Sequence, residues 1–273
     1  MMNDKSLLAL YGLKYNPFQP DIPVDAIWTP PGMDMFYFRL ENLVKDGGFA
    51  LISGEPGIGK SKILQILANR LNRLEDVVVG VMERPQSSLN DFYREMGALF
   101  GVNLSPANRY GGFKALRERW KNHIKSTLFK PVLLIDEAQE MISYCMNELR
   151  MMASEHFDSK SLLTVVMCGD ERLPERFRST ELVSLGSRMR FRIMLDHYKS
   201  SDLHNYLNHA LEQAGASHLM TSHLKDTLAE HSAGNIRVLN NMAAELLAVG
   251  AQKQVKQLDE KLFLEIFSRN SGN

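Results

Sequence analysis

Short uninterrupted apolar runs alternate along the chain with longer stretches whose apolar positions recur every three or four residues. The runs Phe49–Ser53, Val77–Met82, Pro131–Ile135 and Leu162–Cys168 read as strands buried on both faces, the pattern of a parallel sheet. Between them, Lys60–Arg73, Leu89–Phe100, Phe113–Leu128 and Glu140–His156 carry the helical period. Alternation of this kind predicts an α/β layered domain with a mainly parallel sheet. Beyond about Asp196 the strand pattern stops. Ser201–Ala214, Ser222–His231, Ile236–Gly250 and Asp259–Ser268 are helical in period, with Gly215, Gly234 and Gly250 at helix ends. Ahead of the alternation, residues 1–48 are rich in Pro and Gly, with one helical stretch at Met33–Lys45. The expected organisation is an N-terminal segment over 1–48, an α/β domain over 49–196 and a small all-helical domain over 197–273.

Two junctions in this pattern carry chemistry. After the apolar run FALIS comes Gly54-Glu55-Pro56-Gly57-Ile58-Gly59-Lys60-Ser61, followed by Lys62 and a helical stretch with Ile63, Leu64, Leu67 and Leu71 on one face. This is G-x-x-x-x-G-K-[ST] in the context it needs, between a strand and a helix. Small residues let successive backbone N–H groups curl around phosphate oxygens, and the helix adds its positive N-terminal end. Lys60 is placed to reach the β- and γ-phosphates of a nucleotide, and the Ser61 hydroxyl to bind Mg²⁺. The second junction is Val132-Leu133-Leu134-Ile135-Asp136-Glu137, an apolar run ending in two acids. It sets both carboxylates at the carboxyl end of a buried strand, where open α/β sheets bind ligands. Asp136 is expected to hold Mg²⁺ through water, and Glu137 to polarise the attacking water as a general base.

Composition adds limits. The 273 residues suit one large and one small domain, and 44% hydrophobic with 23% charged residues is the balance of an ordinary globular protein. Two cysteines, Cys145 and Cys168, exclude a disulfide framework. No apolar run approaches the ~20 residues of a membrane span, and the first residues do not read as a leader, so the expected location is the cytosol with no membrane partner. Of the 15 methionines, Met141, Met146, Met151 and Met152 lie close together, as core filling or as an adaptable surface. The histidines are not spaced as a metal pair.

The 32 basic residues balance the 32 acidic ones, so nucleic-acid binding has no support from net charge and must rest on a local patch. One exists. Residues 109–130 hold Arg109, Lys114, Arg117, Arg119, Lys121, Lys125 and Lys130 against Glu118 alone. On a helix, Phe113, Leu116, Trp120, Ile124 and Leu128 form an apolar stripe, with Lys114, Arg117, Lys121 and Lys125 in a second stripe beside it. Such a row suits a phosphate backbone and sequence-independent affinity. It also suits long basic side chains whose stems flank the core face.

Beyond the two nucleotide motifs, the chain carries Tyr11-Gly12-Leu13 and Asn16-Pro17-Phe18, LLIDEAQ at 133–139, VVMCGDERL at 165–173, SRMRFRIML at 187–195, and Gly234-Asn235-Ile236-Arg237. In these residues, over roughly 9–250, it resembles the AAA+ ATPases, most of all the ExeA-type branch that includes ATPase helpers of bacterial transposons. The resemblance implies a three-layer P-loop NTPase domain followed by a helical lid. It implies that Asp170 stands at the γ-phosphate sensor position, where an acid departs from the usual Asn, Thr or Gln. Arg188 matches the arginine finger that reaches a neighbouring subunit's site. Arg190 and Arg192 share its side of an extended segment, so spacing leaves the three equivalent. Arg237 matches the lid arginine that contacts phosphate, and Asn16 and Phe18 align with the segment beside the adenine. The DNA contacts of transposon helpers fall in the stretch that holds Arg109, Lys114, Arg117, Lys121 and Lys125.

The function so implied is an ATP-dependent regulator of transposition, a slow Mg²⁺-dependent ATPase. With ATP it forms a homo-oligomer, ring or filament, on double-stranded DNA, recruits or activates a transposase, and disassembles on hydrolysis. The alternatives are a secretion-associated ATPase of the same branch, a helicase loader, and a slow nucleotide-switch scaffold. The secretion-associated relatives carry a membrane span and a wall-binding domain that these 273 residues do not show, which ranks that reading lower.

Overall fold

The computed structural model describes residues 4–85, 88–104 and 108–267. The last residue of the helix expected at Asp259–Ser268 lies outside them. The first half of the chain runs α1 Asp4–Tyr11, α2 Met33–Asp46, β1 Gly48–Gly54, α3 Lys60–Asn72, β2 Val79–Met82, α4 Leu89–Phe100, α5 Arg109–Thr127 and β3 Val132–Ile135. There follow α6 Ser143–Ala153, β4 Ser154–Glu155, β5 Lys160–Ser161, β6 Thr164–Gly169, α7 Arg172–Arg176, α8 Val183–Gly186 and β7 Met189–Leu195. The chain continues with α9 Ser200–Gln213, α10 Ser222–His231, α11 Ile236–Gln252 and α12 Glu260–Phe267.

Two compact units form. One holds residues 32–56 and 60–195 and contains the sheet. Its five strands run in the order β2-β3-β6-β1-β7, all parallel, with Leu134 beside Val166 and Ile52 beside Cys168. Every residue of β1, β3 and β6 is buried, which is why these strands read as continuous apolar runs. Phe92, Met96, Phe100, Leu116, Trp120 and Leu149 from α4, α5 and α6 join Leu133 and Ile135 in one core. Met141, Met146 and Met152 are fully buried in it, whereas Met151 is exposed. Core filling therefore accounts for three of the four clustered methionines.

Local chemistry sets the helix ends. Ser88 caps α4 by accepting the Asp91 N–H at 3.1 Å, and Asn108 caps α5 by accepting the Gly111 N–H at 2.8 Å. That second cap starts α5 four residues before the expected Phe113. The helix expected to reach His156 stops at Ala153, because Ser154–Glu155 pairs with Lys160–Ser161 as a hairpin whose tip holds His156, Phe157 and Asp158 at positive φ. The strand β7, absent from the expected set, alternates exposed Arg190 and Arg192 with half-buried Phe191 and Ile193. It is an edge strand and lacks the apolar continuity of its neighbours.

The other unit comprises residues 1–31, 57–59 and 196–273. Leu203, Leu207, Leu211, Leu224, Leu239 and Leu246 of α9, α10 and α11 build its core, with Tyr11, Leu13 and Phe18 from the N-terminal segment. The segment expected as one piece over 1–48 is thus divided: residues up to 31 pack with the helices, and α2 packs with the sheet. Among the described residues no helix is long and apolar enough to cross a membrane.

Candidate nucleotide site

The loop after β1, the acids after β3 and Asp170 after β6 all follow the carboxyl ends of three neighbouring strands. The ladder fixes their level: Ser53 pairs with Gly169 and Ile135 with Met167, and the Asp136 N–H donates to the Met82 carbonyl at 2.9 Å, one step beyond β3. Lys60 opens α3 with its side chain folded back. Its Nζ donates to the carbonyls of Gly54 and Glu55, both at 2.9 Å, and the residue is only 8% exposed. A buried ammonium held by two backbone carbonyls is already desolvated and aimed, so phosphate oxygens need only replace or join those acceptors. Ser61 is exposed on the first turn of α3, and Lys62 turns outward to Gln65 at 3.0 Å. Burial pushes the Cys168 thiol well up, Asp136 and Glu137 add to the rise, and Lys60 opposes it; the three charged groups surround one point of β6.

Glu137 stands in the left-handed region, φ 49°, at the head of the short 3-10 turn Ala138–Glu140. Its N–H donates to Asp136 Oδ1 at 3.0 Å, and its carboxylate accepts from Gln139 Nε2. Asp170 is matched to Arg172, whose Nε donates to its two oxygens at 2.8 and 3.1 Å while an Nη donates to Glu140 at 2.7 Å. Burial raises the Asp170 carboxyl, but Arg172 outweighs it and holds the group below the usual carboxylate range. An acid at this position is therefore ionised and charge-balanced, which lowers the repulsion it would otherwise offer a phosphate.

In the helical unit, Asn235 caps α11 by accepting the N–H groups of Arg237 and Val238 at 3.0 and 3.3 Å. The Arg237 N–H also donates to the Gly57 carbonyl at 3.0 Å, and the Tyr198 hydroxyl to the Ile58 carbonyl at 3.1 Å. Gly57, at φ +92°, has no room for a side chain, since a Cβ would sit 2.5 Å from Asn235 Oδ1. Gly59 lies in the same unit, also at positive φ. The Arg237 side chain is exposed. Asn16 accepts the Phe18 N–H at 3.1 Å in a tight turn, and Phe18 is buried in the helical core.

The three finger candidates each have a partner within the chain. Arg188 donates to the Ser184 carbonyl and the Asp158 carboxylate, Arg190 lies 3.3 Å from Asp46, and Arg192 donates to the Gly186 carbonyl at 2.7 Å. Hydrogen bonds from Ser154 and Arg188 keep Asp158 below its ordinary range.

The basic helix divides into two groups. Arg117 donates to the Met152 and Ser154 carbonyls at 2.7 and 2.5 Å and so closes the C-terminus of α6, while Lys121 pairs with Glu155 at 2.7 Å. Arg109 forks onto Glu148 at 2.9 and 2.5 Å, and Glu148, itself 2% exposed, also accepts the Tyr93 hydroxyl at 2.5 Å. Lys114 and Lys125 are exposed. Burial raises Glu148, but Arg109 and Tyr93 overcome it and hold the carboxyl low. Arg109→Ala is expected to strip a buried carboxylate of its cation and cost about 2–3 kcal/mol, below the loss for a fully buried pair because half of Arg109 is exposed. A drop of roughly 5–10 °C in thermal midpoint at neutral pH would register it. Because the folded Glu148 titrates below its unfolded value, the stabilisation holds above that unfolded value and fades as pH falls through the lowered one. The gap between Arg109→Ala and wild type should therefore narrow in acid.

The oxygens of Ser61 and Asp136 are the hard donors a Mg²⁺ ion prefers; such an ion, when bound, neutralises charge on the phosphates. Among the described residues no group of three His, Cys, Asp or Glu is placed to hold a metal ion. Sequence reasoning gave no role to Gln139 or Arg172. Both lie within the quoted motifs, yet their partners are set by the turn after β3 and by β6, which spacing does not reveal.

Residues 43–177 match the family model described as AAA domain. The chain is 27% identical over 198 residues to general secretion pathway protein A of Aeromonas hydrophila, a match covering 71% of this chain and 35% of that protein. The chain thus spans about a third of that relative's length. Among solved structures it is similar to Drosophila ORC bound to DNA, with a TM-score of 0.71, 17% identity, 100% of this chain and 68% of that one covered. It is also similar to the Aeropyrum pernix ORC2 protein in ADPNP–ADP complexes, with a TM-score of 0.70, 15% identity, and 94% and 72% covered. The fold is that of the AAA+ P-loop NTPases, a parallel sheet with a helical C-terminal region.

Proposed function

We propose that this chain is a Mg²⁺-dependent ATPase that assembles when ATP is bound and regulates DNA transposition, with duplex DNA and a transposase as partners. The observation that carries the ATPase reading is the seat itself: Lys60 buried against the loop carbonyls, with Asp136 and Glu137 at the end of the next strand but one. In this reading Gly54 to Lys62 cradle the phosphates, Lys60 binds their charge, Ser61 and Asp136 hold the metal, and Glu137 takes the proton of the attacking water. Arg237 and Asp170 respond to the γ-phosphate, and Asn16 and Phe18 border the base. Hydrolysis, helped by an arginine supplied from a neighbouring subunit that stabilises the developing charge, makes ATP the signal for assembly and ADP the signal for release.

The DNA part is supported by Lys114 and Lys125, and by the likeness to a fold solved on DNA. These lysines are 11 positions apart, about three turns and roughly 16 Å along one edge of α5. The charge reversals Lys114→Glu and Lys125→Glu avoid Arg109, Arg117 and Lys121, whose side chains hold the protein together. With ATP present, fluorescence anisotropy on a random-sequence duplex should show the double variant losing most affinity, and the slope of log affinity against log salt falling by about one per lost contact. Unchanged affinity would remove α5 from the DNA reading.

A second reading, a secretion-associated ATPase, is favoured by the 27% identity to general secretion pathway protein A. The same measurement separates the two. Wild-type protein that hydrolyses ATP yet shows no duplex binding with ATP would overturn the transposition reading in favour of the secretion one.

A further inference from the structure

The side chain of Gln139 joins the ends of two neighbouring strands. Its Nε2 donates to Glu137 Oε2, and its Oε1 accepts the Asp170 N–H at 3.2 Å. The residue is 8% exposed, and its own carbonyl accepts from Arg176 Nη1 at 2.5 Å, which pins the backbone beneath it. Gly169 clears the space: a Cβ there would lie 2.5 Å from Gln139 Oε1. The amide's direction is settled by its neighbours. A flipped amide would turn its oxygen on a carboxylate and its NH₂ on a backbone N–H, so only the observed orientation satisfies both ends.

We propose that Gln139 is a positioning residue for ATP hydrolysis: it holds the Glu137 carboxylate in one orientation and locks it to residue 170, so that base and sensor segment move together. This rests on the reading of Glu137 as the general base. The chemistry suits the task. A neutral amide orients a carboxylate through one oxygen without protonating it, and leaves the other oxygen open to receive a proton from water. Glu137 needs such a brace, because its left-handed backbone leaves the side chain at the head of a single 3-10 turn, with no long helix to fix it.

The test uses the full chain with Mg²⁺ and ATP. Gln139→Leu keeps the volume and removes both hydrogen bonds; kcat is expected to fall about 10²-fold, the cost of setting a catalytic group off by about an ångström, with ATP affinity unchanged. Gln139→Glu supplies a second readout that loss of packing would not produce. Below its raised titration point the introduced carboxyl is protonated and donates to Glu137 as the amide did. Above that point two carboxylates repel and the orientation is lost. The rate of this variant relative to wild type should therefore fall as pH rises through the neutral range. A Leu variant with wild-type kcat, or a rate ratio for Gln139→Glu that is flat with pH, would overturn the proposal. If Gln139→Leu does not fold, the pH profile of Gln139→Glu decides alone. Wild-type protein that does not turn over ATP would instead overturn the ATPase reading and this proposal with it. Wild-type turnover that is lost in Glu137→Gln and kept in Gln139→Leu would sink the positioning role alone.

Discussion

Lys60→Ala is expected to abolish ATP binding, whereas Glu137→Gln should bind ATP as wild type does and lose at least about 10²-fold in turnover. The first effect is large because Lys60 is buried, 8% exposed as a residue, and its ammonium is already aimed by the Gly54 and Glu55 carbonyls. Alanine removes this cation and leaves both carbonyls, which repel phosphate, facing the seat. The second effect separates shape from chemistry. A glutamine at 137 retains an oxygen for the Gln139 amide but has no carboxylate to accept a proton from water. Binding by a fluorescent ATP analogue and phosphate release by a coupled assay measure the two quantities independently. Thermal melts give a third check, since ligand at 100 times its Kd stabilises by about 2.7 kcal/mol. ATP should raise the midpoint of wild type and Glu137→Gln and leave Lys60→Ala unmoved. Wild-type turnover by Glu137→Gln would remove that residue from the chemistry.

The other large effect is expected between subunits of the proposed assembly. An arginine supplied across an interface is worth 10³–10⁵ in rate in other phosphoryl-transfer systems, so Arg188→Ala should be nearly inactive. Mixed with the Glu137→Gln protein, which is also inactive but still binds ATP and so can assemble, it should regain activity, because some interfaces pair an intact loop and base with an intact finger. Within one chain Arg188 is engaged by Asp158 and the Ser184 carbonyl, and assembly must exchange those partners for phosphate. Co-assembly shown by light scattering without recovered phosphate release would count against Arg188, and Arg190 would then be tested in the same way.

The sequence made the buried strands legible because strands covered on both faces must be apolar throughout, and β1, β3 and β6 are. The loop from β1 into α3 was legible for a local reason, since its spacing and flanks are set within a dozen residues. What spacing could not show are pairings between distant segments. Arg109 read as a DNA contact, yet 39 positions later Glu148 lies buried and needs a cation. Arg117 read the same way and instead closes the last turn of α6. The β7 segment read as extended but not as a member of the sheet, because the period-two alternation of an edge strand lacks the apolar continuity of its neighbours. The hairpin at β4 and β5 interrupts a helical period that continues on paper to His156, and its tip holds no glycine or proline to mark the break, only His156, Phe157 and Asp158 at positive φ.

The position of β7 gives its arginines another duty. Among the described residues β2 and β7 are the terminal strands of the sheet, and β2 lies under α4, with Leu99 and Phe100 against Gly80. A strand at a sheet margin invites strand addition by another chain, and charged side chains along such a margin are a common way proteins refuse it. Arg190 and Arg192 stand exposed there among Phe191, Ile193 and Met194. If the proposed finger also lies in this stretch, protection of the sheet margin and subunit chemistry would draw on the same few residues, and each would limit how freely the other can change. A chain that traded these arginines for neutral residues would lose its gatekeepers, and the nucleotide-dependent assembly proposed above would face competition from disordered sheet-to-sheet growth.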